Sequence, residues 1–571
     1  MKISIIGPAI KRLYTLLTPR HRTILWLLVI MTIGFSLIET LGISAIMPFI
    51  SIASNQELLD GGIYKKVFDI TGFQQKNDFV LFFGIAIIAF YVFRAIYSIA
   101  HTYLINRYSM AINKFFANKL FKIILSIPYK AYVQKNSSDF ISVINNESRE
   151  LSNLALNVLQ LCTELFTIIL IYILLLVVNW MMTLVLTGIL VVLVSVMLLT
   201  LIRKNKKLGA VSVEAGRRLV RTLTESFGNY KFIKLKGNKK SSLEDYAKAI
   251  SDMSKTRITA NTLSILPKSI LESLGFSLLI AVVIYIIAAH NDPSMVIPVI
   301  SMYALALYRI LPSIHRMICN LNNIAYVQQA LDHVDEALQF PVENDGNGTL
   351  AFNKSVELND VSFKYATGSE VLNNISLSIT KGEKVAIIGE SGGGKSTLID
   401  VLIGIHKPLS GEIHIDGQQL TEANIGSWRK RIGYIPQSIY LFDGTVAENV
   451  AFGSDFNEEK INLALQKANI KEFLDTKDGI HTIVGEKGIQ LSGGQLQRIG
   501  IARAMYDDPE VLVLDEATSS LDTETESKIM DEIYAASENK TLIIIAHRLS
   551  TVERCNRKIQ LDGGKIAQEQ H

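Results

Sequence analysis

Little in this chain is cysteine: only Cys162, Cys319 and Cys555 among 571 residues. They lie too far apart for a disulfide framework or a paired metal-binding motif. A charge of one sign is also lacking, because 57 Lys and Arg face 53 Asp and Glu and leave a net +4. No overall basic field therefore points to nucleic acid as a partner. Charged residues reach only 19%, below the roughly 25% of soluble domains, while hydrophobic residues make up 49%. There is no internal repeat and no low-complexity tract. Collagen-like, disordered and disulfide-scaffold classes are excluded. A membrane protein with a large soluble part remains.

What is present changes character near residue 330. Upstream, six apolar runs reach the roughly 20 residues a membrane span needs, at about 24–50, 79–104, 157–178, 181–202, 263–289 and 296–318. Asn179 and Trp180 make a very short hairpin between the third and fourth, and His290 to Pro293 is a turn signal between the fifth and sixth. Basic residues cluster in 1–22 and after the fourth run (Arg203, Lys204, Lys206, Lys207, Arg217, Arg218, Arg221). The outer segment between runs one and two offers only Lys65, Lys66 and Lys76. The asymmetry predicts a cytoplasmic N-terminus, long cytoplasmic loops and a cytoplasmic C-terminal part. The first run is too long for a signal-peptide core and reads as a retained span. The stretches 105–156 and 203–260 read as helical extensions of their spans.

Downstream, Val385 to Ile388 reads as a short buried strand running into Gly389 to Thr397, GESGGGKST, which fits GxxxxGK[ST]. The glycines let backbone N–H groups curl around phosphate oxygens at a helix N-terminus. Lys395 is placed to reach the β- and γ-phosphates, and the Ser396 hydroxyl to ligate Mg²⁺. A second buried strand, Val511 to Leu514, ends in Asp515 and Glu516. The first carboxylate suits Mg²⁺ and the second suits a general base for the attacking water. On its own this pair is an ordinary polar strand end. Likewise, Leu491-Ser492-Gly493-Gly494-Gln495 on its own is a capped helix start. The phosphate loop upstream makes one site of all three.

At these residues, GESGGGKST, LSGGQ, LVLDEATSSLD and IIIAHRLS in this order resemble the ATP-binding cassette of an ABC transporter. The six runs before it resemble the membrane domain of the exporter (type IV) class. The resemblance implies an all-α six-helix transmembrane domain (1–330), a linker (331–350) and an α/β P-loop nucleotide-binding domain (351–571). It implies an ATPase coupled to transport, with ATP and Mg²⁺ as cofactors and a homodimer whose sites need two cassettes. Tyr365 would stack on adenine, its plainer alternative being a core strand aromatic. Gln437 would sense Mg²⁺, Ser492 and Gly494 would contact the γ-phosphate on the other protomer, Asp522 would bridge the dimer, and His547 would hold the γ-phosphate.

The expected nucleotide set is thus Tyr365, Gly389, Glu390, Ser391, Gly392, Gly393, Gly394, Lys395, Ser396, Thr397, Ser492, Gly493, Gly494, Gln495 and Asp522. Glu516, His547 and Gln437 are the catalytic set, and Ser396, Gln437 and Asp515 the metal set. Gly393 stands where the family commonly has Ser, Cys or Ala, and Leu496 where Lys or Arg is usual. Stretches 136–146 and 224–234 are similar to the exporter segments that dock on the cassette, their alternative being solvated polar helix faces.

Cargo must be read from charge inside the spans, since ionisable groups at membrane depth face a polar cavity or a partner. Arg94, Lys268, Arg309 and Arg316 are the candidates. They form a cationic lining for an anionic headgroup, or pair with Glu39, Glu164 and Glu272. Residues 39–50, 91–94, 232–236 and 306–309 look like the PglK-type bacterial flippases of lipid-linked oligosaccharides. That implies a polyprenyl-diphosphate glycan, moved across the bacterial inner membrane for protein N-glycosylation or surface polysaccharide assembly, among membrane lipids. The rivals are an exporter of lipids or hydrophobic drugs on the same scaffold, and an ATP-gated channel or regulator. Ile63, Tyr64, Val67 and Phe68 are spaced for a short amphipathic helix in the external segment 53–77.

Overall fold

The computed structural model describes residues 6–570 apart from 55, 179, 238, 290–295, 366–367, 517–521 and 547–551. The chain packs as two units, Met1–Leu125 with Asn136–Phe340, and Ser126–Lys135 with Pro341–His571. The second therefore takes in a short piece of chain from far upstream.

The first unit is helical. Each expected span lies within one long helix: Pro19–Ser54, Lys76–Leu125, Ser148–Val178, Trp180–Gly228, Lys240–Ala289 and Val296–Tyr326. Among the described residues, Pro19–Ala53, Lys76–Leu125 and Ser137–Val177 are long and apolar enough to cross a membrane on length and composition. The helices outrun the apolar stretches, as the polar extensions predict. In those extensions Ile112, Phe116, Leu120, Leu151, Leu154 and Leu159 form a fully buried core. Gly209 allows the fourth helix to meet the sixth, since a Cβ there would lie 2.1 Å from the Tyr326 carbonyl oxygen. Small residues at helix contacts serve this close approach.

Two expectations shift. The stretch read as linker, 331–350, begins inside a helix, Gln328–Leu338, whose Ala330, Leu331, Val334 and Ala337 are buried against the extension core. This spacing puts one apolar face inward. The stretch 136–146 also belongs to the helical unit, with Phe140 and Val143 in the interior. The piece that packs in the second unit is Ser126–Lys135. In the external segment a helix forms at Gly62–Thr71, with Tyr64 and Phe68 against Ile52, Leu59 and Phe79 while Val67 and Ile70 are exposed. A short stretch at the next expected docking segment, Tyr230–Lys236, is helical, and Phe227, Tyr230, Phe232 and Leu235 are exposed on this chain.

In the second unit the described strands are β1 (Ser355–Lys364), β2 (Glu370–Thr380), β3 (Lys384–Ile388), β4 (Ser410–Ile415), β5 (Gln418–Gln419), β6 (Ile432–Ile435), β7 (Val511–Asp515), β8 (Thr541–Ile545), β9 (Arg557–Asp562) and β10 (Lys565–Gln570). They make an antiparallel sheet ordered β2-β1-β4-β5 and a mixed sheet ordered β10-β9-β3-β8-β7-β6, parallel from β9 to β6. β3, β7 and β8 are nearly continuous apolar runs because both faces are covered: Val385, Val513 and Ile543 share a core with the antiparallel sheet and the Lys395–Leu402 helix, and Ala386, Leu512 and Ile544 pack with helices on the other face. β3 sits between β8 and β9, so its C-terminal end opens into the crevice where such sheets place ligands.

Candidate nucleotide site

The loop after β3 has the backbone its glycines predict. Gly389, Gly392 and Gly394 have φ of +147°, +82° and +96°, and a Cβ on Gly389 would lie 2.1 Å from the Leu561 carbonyl oxygen. Gly394 caps the helix Lys395–Leu402, whose first turn carries the three polar side chains of the motif. At Gly393 a Cβ would sit 3.1 Å from the Glu390 oxygen. A larger residue there must displace a neighbour by a few tenths of an ångström, so glycine leaves the loop intact. Lys395 is 5% exposed and donates to the carbonyls of Gly389 (2.9 Å) and Glu390 (2.8 Å). The ammonium thus lies across the mouth of its own loop.

β7 delivers the acids. The Ser396 hydroxyl donates to Asp515 Oδ1 at 3.2 Å, and the Tyr434 hydroxyl donates to Oδ2 at 3.1 Å. Burial pushes the Asp515 carboxyl up and the charge of Glu516 adds to this, while the two hydroxyl bonds oppose it. Asp400, one turn along the phosphate-loop helix, is pushed up to about 6 by burial and then by the charge of Asp515. Gln437 donates to Glu516 Oε2 at 2.8 Å. Glu516 itself has φ +48°, a left-handed backbone that a glutamate rarely adopts. Its N–H donates to the Ile545 carbonyl at 3.2 Å, so the parallel pairing of β7 with β8 continues one residue beyond the strand and holds that conformation.

The Ser396 and Asp515 oxygens lie side by side, hard donors of the kind Mg²⁺ takes, and two protein oxygens leave its other positions to phosphate and water. The residues therefore fit the ion. Gln437 bonds the Glu516 carboxylate in this chain, one residue beyond Asp515.

Tyr365 is 37% exposed, stands edge-on to Phe363 at 5.1 Å, and its hydroxyl lies 3.1 Å from that of Thr397. It is neither a buried core aromatic nor free of the loop. Ser492 is a helix cap: its hydroxyl accepts from the Gln495 N–H at 3.3 Å and its N–H donates to Gln495 Oε1 at 2.9 Å, opening the helix Gly493–Met505. This reciprocal bond is a capping box. Gly494 lies against Thr525, where a Cβ would come within 3.3 Å of its methyl. Asp522 caps the helix Thr523–Ala536 by accepting from the Thr525 N–H at 2.9 Å, and that bond holds its carboxyl below the usual range. In a single chain, then, Ser492 and Asp522 make helix caps through local bonds. His547 lies outside the described residues.

The sequence reading missed Tyr434, although the alternation in β6 that turns it outward beside β7 was visible. It also missed Arg503, which binds the carbonyls of Asn449 (2.8 Å) and Tyr440 (2.9 Å) and fixes the signature helix to the segment beyond Gln437. Arg503 is pushed down by burial.

In the helical unit, Arg94 pairs with Glu39 at 2.9 Å, with the Tyr91 ring 5.5 Å from its guanidinium carbon. Arg316 grips Glu164 with two nitrogens, one of them 3.0 Å away, and also reaches Ser313 at 3.2 Å. Lys268 and Glu272 are 4.0 Å apart and both about half exposed. The side chain of Arg309 lies outside the described residues.

Comparison with known proteins agrees with this architecture. The ABC transporter transmembrane region family matches residues 23–309 and the ABC transporter family matches 372–519. Similar proteins include an ATP-dependent lipid A-core flippase of Burkholderia pseudomallei, 29% identical over 87% of this chain and 85% of that one. One of Saccharophagus degradans is 31% identical over 79% and 77%. The heterocyst differentiation ATP-binding protein HepA of Nostoc is 28% identical over 79% and 76%. A solved bacterial Atm1-family ABC exporter with ATP bound superimposes with a TM-score of 0.79, at 22% identity over 96% of this chain and 94% of that one, which shows a shared fold.

Proposed function

Because the chain belongs to the ABC transporter family, we propose that it is one protomer of a homodimeric flippase moving a polyprenyl-diphosphate-linked oligosaccharide across the bacterial inner membrane. It is an ATPase whose hydrolysis is coupled to transport, and exporters of this family act as dimers. The cassette lies in the cytoplasm in this reading, with a transmembrane domain at 1–330, a nucleotide-binding domain at 351–571 and between them a linker that begins inside the helix Gln328–Leu338.

In the chemical step, Lys395 leaves the carbonyls of its own loop for phosphate oxygens. Mg²⁺ supplies electrostatic stabilisation of charge developing on the phosphates. Ser396 and Asp515 would hold it, and the Tyr434 hydroxyl fixes the Asp515 carboxylate from its other oxygen. Glu516 takes a proton from the attacking water, and the Gln437 amide orients its carboxylate. Gln437 would join Ser396 and Asp515 as a further oxygen donor to the ion. Tyr365 stacks on adenine. Gly389 to Thr397 cradles the phosphates of one protomer, while Ser492, Gly493, Gly494, Gln495, Asp522 and His547 complete the site on the other. The observation that supports the catalytic half is the pair of bonds Ser396–Asp515 and Gln437–Glu516, made by two consecutive carboxylates.

For cargo, the supporting observation is the half-exposed Arg316 gripping a 9% exposed Glu164. A diphosphate offers the guanidinium the same paired oxygens that the carboxylate does. Arg94, Lys268 and Arg309 would complete the cationic lining. Reconstitution with labelled polyprenyl-diphosphate glycan tests this: ATP-dependent transfer between leaflets is expected, and none, with active ATPase, overturns it. The names of the relatives favour a second reading, a lipid A-core type of glycolipid. Stimulation of ATPase by that lipid and not by the polyprenyl one would select it.

A further inference from the structure

We propose that His406 is a positioning residue that ties the seating of the Ser126–Lys135 segment to the aromatic side of the nucleotide site. The proposal rests on the reading of Tyr365 as the ring that stacks on adenine, and concerns what holds that ring.

His406 follows the phosphate-loop helix and its N–H donates to the Asp400 carbonyl at 3.0 Å. Its side chain is 2% exposed, yet among the described residues neither ring nitrogen has a hydrogen-bond partner; a carboxylate oxygen of Asp400 is 3.9 Å away. Burying an unbonded imidazole is unfavourable, so the ring must gain from something else. It gains three aromatic neighbours. Phe363 stacks on it at 4.8 Å and 17°, Tyr365 meets it edge-on at 5.6 Å and 87°, and Tyr129 leans on it at 5.6 Å and 42°. Edge-to-face and offset contacts at these separations are favourable and directional.

The two tyrosines come from opposite ends of the story. Tyr365 follows β1 and reaches Thr397 in the first turn after the phosphate loop. Tyr129 belongs to the segment that runs directly out of the second long helix at Leu125 and returns to the helical unit at Asn136. The segment is anchored twice more: Lys130 donates to the Lys364 carbonyl at 2.9 Å beside Tyr365, and its ammonium lies 5.3 Å from the Phe363 ring centre. The Glu343 N–H donates to the Ser126 carbonyl at 2.7 Å. One imidazole thus separates the ring that reads the base from the ring that seats the segment. A shift of either changes the wall against which the other packs. Since Tyr365 is 37% exposed, its orientation depends on these few contacts.

A mutant box on the full chain in lipid nanodiscs tests this, read by equilibrium binding of the fluorescent analogue mant-ATP without Mg²⁺. Tyr365→Ala should weaken binding about fivefold or more, the size of a lost base stack. Tyr129→Ala should weaken it severalfold without touching the base, and the double variant should depart from the product of the two by about threefold or more. With His406→Gln, which keeps a polar side chain but no ring, that departure should vanish. With His406→Phe, which restores a ring, it should return. Additive effects with His406 in place, or a departure that survives His406→Gln, would overturn the proposal alone. Unchanged binding in Tyr365→Ala would instead overturn the base-stacking reading and take the proposal with it.

Discussion

The expected nucleotide and cargo residues hold their charges in opposite ways. In the cassette, Lys395 is held by backbone carbonyls and Asp515 by neutral hydroxyl groups, so these charges stay available to a ligand. In the helical unit, Arg94 and Arg316 are matched by buried glutamates from other helices, so their charges are already answered. A charge kept available serves chemistry, and one matched inside the membrane serves the assembly of helices until a stronger anion arrives.

The largest expected effect breaks the comparison on the cassette side. Glu516→Gln keeps shape and bonding capacity but removes the base, so ATP should still bind while hydrolysis falls at least about 100-fold. Near-normal turnover would remove Glu516 from the chemistry. Lys395→Ala should abolish transport by loss of phosphate binding, with little change in folding. Mixed dimers of Lys395→Ala with Ser492→Ala chains should recover ATPase above either alone, because one site then has both intact elements. No recovery would mean that Ser492 does not serve the opposite protomer or that both sites must fire together.

On the other side, Arg316→Ala should lower expression or thermal stability by roughly 2–3 kcal/mol, since Glu164 is left buried and unpaired though Arg316 is partly exposed. Adding Glu164→Gln should restore stability. If the single variant is as stable as the parent and loses flipping only, Arg316 is held for cargo and the contrast between units narrows. The smallest effect concerns Asp400. Its folded carboxyl titrates near 6, above the unfolded value near 3.9, so the ionised form destabilises the fold. That cost is absent below about pH 4, grows between 4 and 6 and is complete at pH 7. Asp400→Asn should therefore stabilise the fold at pH 7.5 by on the order of 1 kcal/mol after allowing for solvent, read as a higher thermal midpoint, and by less at pH 5. An equal gain at both would assign it to packing.

This difference also explains what the sequence discloses. Gly389 to Thr397, Leu491 to Gln495 and Val511 to Glu516 are contiguous, so the spacing of a few residues carries their local geometry. The phosphate loop, the capped signature helix and the acids at the end of β7 stand as that spacing predicts. The pairings Arg94–Glu39 and Arg316–Glu164 join residues on different helices, and residue spacing offers no choice between pairing and cavity lining. Lys268–Glu272 alone had readable i,i+4 spacing, and it is the weakest contact of the three at 4.0 Å. The place of 126–135 was unreadable for the same cause: that piece packs in the second unit through Tyr129 and Lys130, whose partners lie more than two hundred residues away. The helix Gln328–Leu338 was hidden by the acidic residues on its outer face, two of which, Asp332 and Asp335, bind Arg12.

That upstream piece bears on how such a protein can be inherited. The cassette's fold is written in two separated stretches of gene, Ser126–Lys135 and Pro341 onward. A recombination that swapped only the second would deliver a new Phe363 and His406 to an old Tyr129 and Lys130. Substitutions at Tyr129 should therefore be tolerated chiefly alongside compensating ones at Phe363 and His406.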